Sequence, residues 1–280
     1  MITTAKQLKD KTRNLSGGNS NKAQTLIRNY MMERFLERVT LSKYRNNFIL
    51  KGGMLVAAMV GLETRATMDI DTTIKALPLN PDRVRAIIEE ILAVEIHDGV
   101  HFTVGKESSI MEEHDYPGLR YILNATLERM QEIIKIDIST GDAITPSAIE
   151  YSYKLMVEDR RISLWTYNLE TVLGEKLETM MARGTANTRM RDFYDVFVLY
   201  RQYKDTLNLR NLSAAFSATS AKRNTASLLP DLALILEEIR ESPEMQRTWE
   251  NYKRSNYYVE DLSWSDAMRA VMELAQFLII

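Results

Sequence analysis

Residues 67–74 read TMDIDTTI, an alternation that marks a β-strand with Asp69 and Asp71 on one face and Met68, Ile70 and Thr72 on the other. Two carboxylates placed this way repel each other, and where half-buried they need a cation; ligation by oxygen alone suits Mg2+ or Mn2+. A third acid stands in EIIKIDIS, where Lys135 and Asp137 share one strand face and Ile134, Ile136 and Ile138 take the opposite one. Ahead of the aspartates, NFILKGG is a short apolar strand that ends in Gly52-Gly53, followed by an apolar helix over 54–61. Glycines at a helix N-terminus leave backbone N–H groups and the positive end of the helix dipole open to a phosphate. The same pair also reads as a tight turn that simply requires glycine, and Asp-x-Asp alone as a solvated strand end.

These residues need a frame. An amphipathic helix begins at Ser20, with Ala23, Leu26, Ile27, Tyr30, Met31, Phe35, Leu36 and Val39 near 3.6-residue spacing; the preceding SGGNSNK lacks the spacing of a phosphate loop and reads as a turn. NPDRVRAIIEEILAVEI predicts a helix capped by Asn80 with Pro81 at its first position, and strand-like runs follow at about 101–113, 118–126 and 131–139. After ISLWTYN the pattern becomes helical, at about 168–183, 190–203, 208–217, 225–239, 243–253 and 264–278. The expected fold class is therefore α/β: a mixed sheet with covering helices over 1–165, and an all-helical bundle over 166–280 packed against it without a flexible tether.

Composition narrows the chemistry. The 280 residues are 45% hydrophobic and 26% charged with a net charge of −2, which excludes a disordered chain and a uniformly basic nucleic-acid coat. Residues 1–50 carry ten Lys/Arg against three Asp/Glu, a local +7 that suits a polyanion and equally a solvated helix face. No cysteine is present, so disulfides, thiolate zinc sites and cysteine nucleophiles are excluded, and the chain reads as cytoplasmic. Three histidines (His97, His101, His114) leave carboxylates as the natural metal ligands, and His97 and His101 flank a turn as surface residues. There is neither a signal-peptide pattern nor an apolar run long enough to span a membrane.

Farther on, LETVLGEKLETMMARGTANTRMRDFYDVFVLY stacks Lys176, Met180 and Arg183 on one helix edge and puts Asp192 and Asp195 on a shared face. The Arg–Asp combination in RMRDFYD is equally an interhelical ion pair, and Phe193, Tyr194, Val196 and Phe197 read as core. NYKRSNYYVED interleaves Tyr252, Lys253, Arg254, Tyr257 and Tyr258, a mixture that can stack on single-stranded RNA or simply line a surface helix.

Three blocks in order, FILKGGMLVAAMVGLETRATMDIDTTI, IIKIDIS and the LETVLGEK…RMRDFYD stretch, resemble the nucleotidyltransferase superfamily, and within it the AbiEii/AbiGii toxins of bacterial abortive-infection and toxin–antitoxin systems. The resemblance covers residues 48–200. Many superfamily members carry Gly-Ser where this chain has Gly52-Gly53, so one hydroxyl contact to a triphosphate is missing. The resemblance implies a nucleotidyltransferase-like fold, with Asp69, Asp71 and Asp137 holding Mg2+ or Mn2+ and Asp137 or Asp192 serving as base. It further implies that Lys51, Gly52 and Gly53 cradle an NTP, with Lys176 on its phosphates and Asp192 beside it. The implied biology is transfer of a nucleoside monophosphate to a cellular acceptor, tRNA, by a toxin that a cognate antitoxin neutralises in phage defence. A small-molecule or protein acceptor, or a catalytically silent nucleotide-binding module, are the competing readings.

Overall fold

The structure, a computed structural model, describes residues 1–63, 65–110, 118–259 and 261–278. His114 and the end of the run expected over 101–113 lie outside the described residues. The chain forms two compact units: 1–58 with 66–141 and 149–166, and 59–65 with 142–148 and 167–280.

The first unit holds a seven-stranded mixed sheet. In chain order its strands are β1 (Phe48–Lys51), β2 (Asp69–Ile74), β3 (Val100–Ile110), β4 (Gly118–Leu127), β5 (Met130–Thr140), β6 (Ile149–Lys154) and β7 (Arg161–Thr166), arranged β3-β4-β5-β2-β1-β7-β6. β2 runs parallel to β5 and antiparallel to β1, so the two aspartate-bearing strands lie side by side at the centre. Ile70, Ile134, Ile136 and Ile138 are fully buried on one face, as the alternation requires. Helix α1 (Ala5–Ser16) packs on α2 (Ser20–Leu41), which lies against β5 and β7, and α4 (Pro81–Leu92) packs against β3 and α2. Between them, α3 (Gly52–Val60) follows β1 directly.

Helix α2 departs from the amphipathic expectation. It is buried on every side through its second half, and the charged residues there turn inward. Arg38 forms a two-point ion pair with Asp98 at 2.8 and 2.9 Å and also donates to the Val100 carbonyl, while Arg34 Nη1 sits 2.6 Å from Glu37 Oε2. Glu33, Arg34, Glu37 and Arg38 cancel in formal charge, so the N-terminal positive excess rests on other residues, among them the exposed Lys6, Lys9, Lys11 and Arg13. Its N-cap is Asn19, with Ser20 as the first helical residue.

The second unit is helical: α5 (Leu169–Arg183), α6 (Met190–Tyr203), α7 (Leu209–Lys222), α8 (Leu232–Glu241), α9 (Pro243–Ser255) and α10 (Trp264–Ala275). The helix expected over 225–239 is broken. Residues 226–231 form a 3₁₀ turn containing Pro230, whose ring removes a backbone donor, and α8 starts only after it. Helix α6 packs on α10, where Phe193 stacks against Trp264, and α5 packs on α7 at Gly174, where a Cβ would come within 3.0 Å of the Phe216 backbone nitrogen.

Candidate active site

The carboxylates stand on the sheet face opposite α2. That helix touches Glu132, which shares its face with Ile134 and Ile136, so the odd-numbered residues of β5 and their partners on β2 point the other way. Register then builds a row across four adjacent strands. Lys51 on β1 faces Asp71 on β2, Asp71 faces Asp137 on β5, and Asp137 faces Arg120 on β4. The order is cation, acid, acid, cation. One step along, Asp69 is level with Lys135. Neighbouring strands are about 4.8 Å apart, so the two central carboxylates are held close without a backbone link between them.

The row is asymmetric in its contacts. Arg120 grips Asp137 through a two-point pair, Nε to Oδ1 at 2.7 Å and Nη2 to Oδ2 at 2.6 Å. The Asp137 hydrogen bonds hold the Arg120 guanidinium above its ordinary range, and the charges of Asp69 and Asp71 add to the effect. Asp69 Oδ1 is buried without a hydrogen-bond partner among the described residues. An acceptor kept from water and unpaired is costly and is what a bound cation would relieve. Nearby, Gly52 adopts a left-handed φ of 64° at the turn from β1 into α3, and the space where its Cβ would sit is filled by the Asp71 carboxylate. Gly53 is the next residue of α3. The donor set therefore fits a divalent ion in kind. As it stands, no group of three or more His, Asp or Glu among the described residues closes into a metal site, and Asp137 is engaged by Arg120 instead.

Lys176 and Asp192 belong to the helical unit, where they form a buried cluster with Asp195 and Arg65. The Lys176 ammonium lies 2.8 Å from Asp192 and 2.7 Å from Asp195, and Arg65 Nε lies 2.6 Å from Asp195. Arg189 caps the outer side of Asp192 at 3.0 Å. Burial pulls Lys176 down, but Asp192 and Asp195 outweigh it and the ammonium titrates above the ordinary lysine range. Burial likewise pushes both acids up, and the cations reverse the sign: Lys176 and Arg189 hold Asp192 low, Arg65 and Lys176 hold Asp195 low. The expected basic edge along α5 is thus internal at Lys176 and neutralised there. Both acids do share a helix face, and Phe193, Tyr194 and Val196 are buried as core, with Phe197 half-buried.

The tyrosines of 252–258 are engaged with one another and with the bundle. Tyr258 hydrogen-bonds Asn256 and stacks on Tyr194, and Tyr252 packs on Trp249. His97 and His101 are both exposed as expected, His97 in the turn and His101 on β3. Arg120 and Arg65 were not singled out by the sequence reading. Arg120 had a usable signal: the hairpin closes on Leu127 and Met130 with Glu128-Arg129 as its two-residue turn, and counting back along both strands sets Arg120 opposite Asp137. No comparable count links Arg65 to Asp195, which are 130 residues apart.

Two crystal structures share this fold. JHP933 from Helicobacter pylori is 16% identical, with 91% of this chain and 92% of that one aligned at a TM-score of 0.53. A candidate nucleotidyltransferase from H. pylori is 15% identical over 91% and 95% of the two chains, also at 0.53. A comparison with curated proteins finds no match. No helix among the described residues is long and apolar enough to cross a membrane. The family model described as "Nucleotidyl transferase AbiEii toxin, Type IV TA system" matches residues 34–272, from α2 through both units and the carboxylate row to α10. The chain belongs to that family of toxin nucleotidyltransferases.

Proposed function

We propose that the protein transfers a nucleoside monophosphate from an NTP to the 3′ end of an RNA, with tRNA as the acceptor. It does so in the cytoplasm as a toxin neutralised by a cognate antitoxin, in phage defence. The observation that carries the chemical part is the adjacency of Asp71 and Asp137 on parallel strands, with Asp69 one step away and holding an unpaired buried oxygen. Asp69, Asp71 and Asp137 would hold Mg2+ or Mn2+. Such an ion, when bound, offsets charge on the phosphates and eases loss of a proton from the attacking hydroxyl.

The chain's own residues then divide the work. The acceptor oxygen attacks the α-phosphorus, the bond to the β-phosphate oxygen breaks, and pyrophosphate leaves; the hydroxyl proton passes to Asp137 or Asp192. The Lys51-Gly52-Gly53 turn supplies a cation and backbone N–H groups at the start of α3. Lys176 and Asp192 keep the roles that the resemblance gives them, and Lys176→Ala tests that share.

The deciding experiment incubates the purified protein with total bacterial RNA, Mg2+ and each α-labelled NTP in turn, beside Asp71→Asn. Label in a tRNA-sized band with the wild type alone is the expected result. Label in protein or small molecules replaces the acceptor, and no label anywhere, with an unchanged growth effect of Asp71→Asn in cells, leaves a silent binding module.

A further inference from the structure

The row Lys51, Asp71, Asp137, Arg120 ends on a cation that donates to both oxygens of the Asp137 carboxylate. A guanidinium fork takes one lone pair on each carboxylate oxygen and offsets the negative charge, so a carboxylate held this way attracts a metal ion less than a free one. The two groups differ in exposure. The Asp137 side chain is 15% exposed and Arg120 37%, so Arg120 can swing into solvent while Asp137 cannot. In the absence of Arg120 the residues Asp69, Asp71 and Asp137 would be level with Lys51 and Lys135 on the neighbouring positions of β1, β2 and β5, and the metal-free protein would hold adjacent carboxylates at strand spacing with repulsion between them.

We propose that Arg120 is a competing cation built into the site: it neutralises Asp137 in the metal-free protein, and a divalent ion reaches that carboxylate only by displacing it. The inference rests on the proposed metal-dependent reading of the site. Its consequence is that the free ion binds weakly, so that loading of the third carboxylate becomes conditional on something that also draws Arg120 away. An NTP triphosphate has the chemistry to do that, since a freed guanidinium pairs with phosphate oxygens. Arg120 acts here through Asp137 and is a positioning residue.

The test is a Mn2+ titration of the full chain followed by electron paramagnetic resonance, without nucleotide, on wild type, Arg120→Gln, Asp137→Asn and the double variant. Arg120→Gln should bind Mn2+ on the order of tenfold more tightly, the scale of one charge-assisted hydrogen bond, and that gain should vanish in the Asp137→Asn background. Melting temperatures give a second readout: Mn2+ should raise that of Arg120→Gln more than that of wild type. Equal or weaker binding by Arg120→Gln overturns the proposal while leaving the metal site standing, as does a gain that persists without Asp137. Absence of Mn2+ binding in both wild type and Arg120→Gln overturns the metal reading and this proposal together. Should Arg120→Gln not melt cooperatively, Arg120→Lys, which keeps the charge and loses the fork, takes its place: intermediate tightening supports the proposal and unchanged affinity overturns it.

Discussion

Gly52 and Asp71 occupy each other's space. A Cβ at position 52 would lie 2.6 Å from Asp71 Cγ and 2.7 Å from Asp71 Cβ, and closer still to Oδ2, at a backbone φ of 64° that side chains other than glycine rarely adopt. The glycine reads from sequence as a phosphate turn, yet its first physical duty is to make room for a carboxylate one strand away. Gly52→Ala must either push Asp71 out of the row or shift β1 from β2. It is expected to cost about 2 kcal/mol in stability from the backbone and the clash combined and to remove nucleotidyl transfer. Gly53→Ser, which restores the superfamily's more common pair, is expected to keep the fold. Urea unfolding of the two variants beside wild type checks the contrast, and equal stability of Gly52→Ala and wild type would refute it.

Asp195, itself fully buried, links the buried Arg65 and the mostly buried Lys176. Neutralising it as Asp195→Asn leaves positive charge inside the helical unit with less compensation, and breaking a buried pair in this way costs about 3–5 kcal/mol. Asp192→Asn is expected to cost less, because its outer partner Arg189 is 42% exposed and water can take over the guanidinium. Chemical denaturation monitored by tryptophan fluorescence separates the two, since Trp249 and Trp264 both lie in this unit. A larger loss for Asp192→Asn would mean that Lys176, not Arg65, is the cation that depends most on the pair. On the pH axis both carboxyls sit below their unfolded range, so the stability they supply is present above about pH 4 and is lost as acid titrates them.

Local pattern carried the site further than it carried the core. Alternation alone placed Asp69 and Asp71 on one face and Asp137 on the face opposite its isoleucines, because strand geometry has a period of two and needs no tertiary information. Asn80 with Pro81 announced α4 in the same local way. Helix α1 carries a capping box, Thr4 with Gln7, and β6 and β7 alternate along IEYSYK and RISL, local signals of the same kind. What sequence did not give was pairing at a distance. Arg34, Glu37 and Arg38 look like an exposed charged stretch until Glu158, Arg160 and Asp98 arrive from elsewhere in the chain to meet them. Ion pairs closed by the fold are invisible to a running charge count, but the +7 of the first fifty residues lies elsewhere: Lys6, Lys9, Lys11 and Arg13 on α1 are exposed, as on a solvated helix face.

Glu33 belongs to that interior. It is fully buried on α2, where both of its oxygens accept from the Met156 N–H at 3.0 and 3.2 Å, and Oε1 also accepts from Asn29 and from the Tyr153 hydroxyl. Burial pushes its carboxyl from 4.5 up to about 8, with Arg34 and the Met156 N–H opposing. The folded state therefore holds a proton that the unfolded chain gives up. A folded pKa raised above the unfolded one contributes stability that is complete below about pH 4.5 and declines as pH rises towards 8. Glu33→Gln keeps an oxygen for the donors around Oε1 and cannot ionise, so its stability should not fall across that window. Thermal melts between pH 5 and pH 8.5 should show the wild type losing ground to Glu33→Gln by about 2–4 °C for each kcal/mol of burial penalty. Parallel curves for the two proteins would mean that Glu33 is ionised in the fold and that Arg34, beside it on α2, sets its charge.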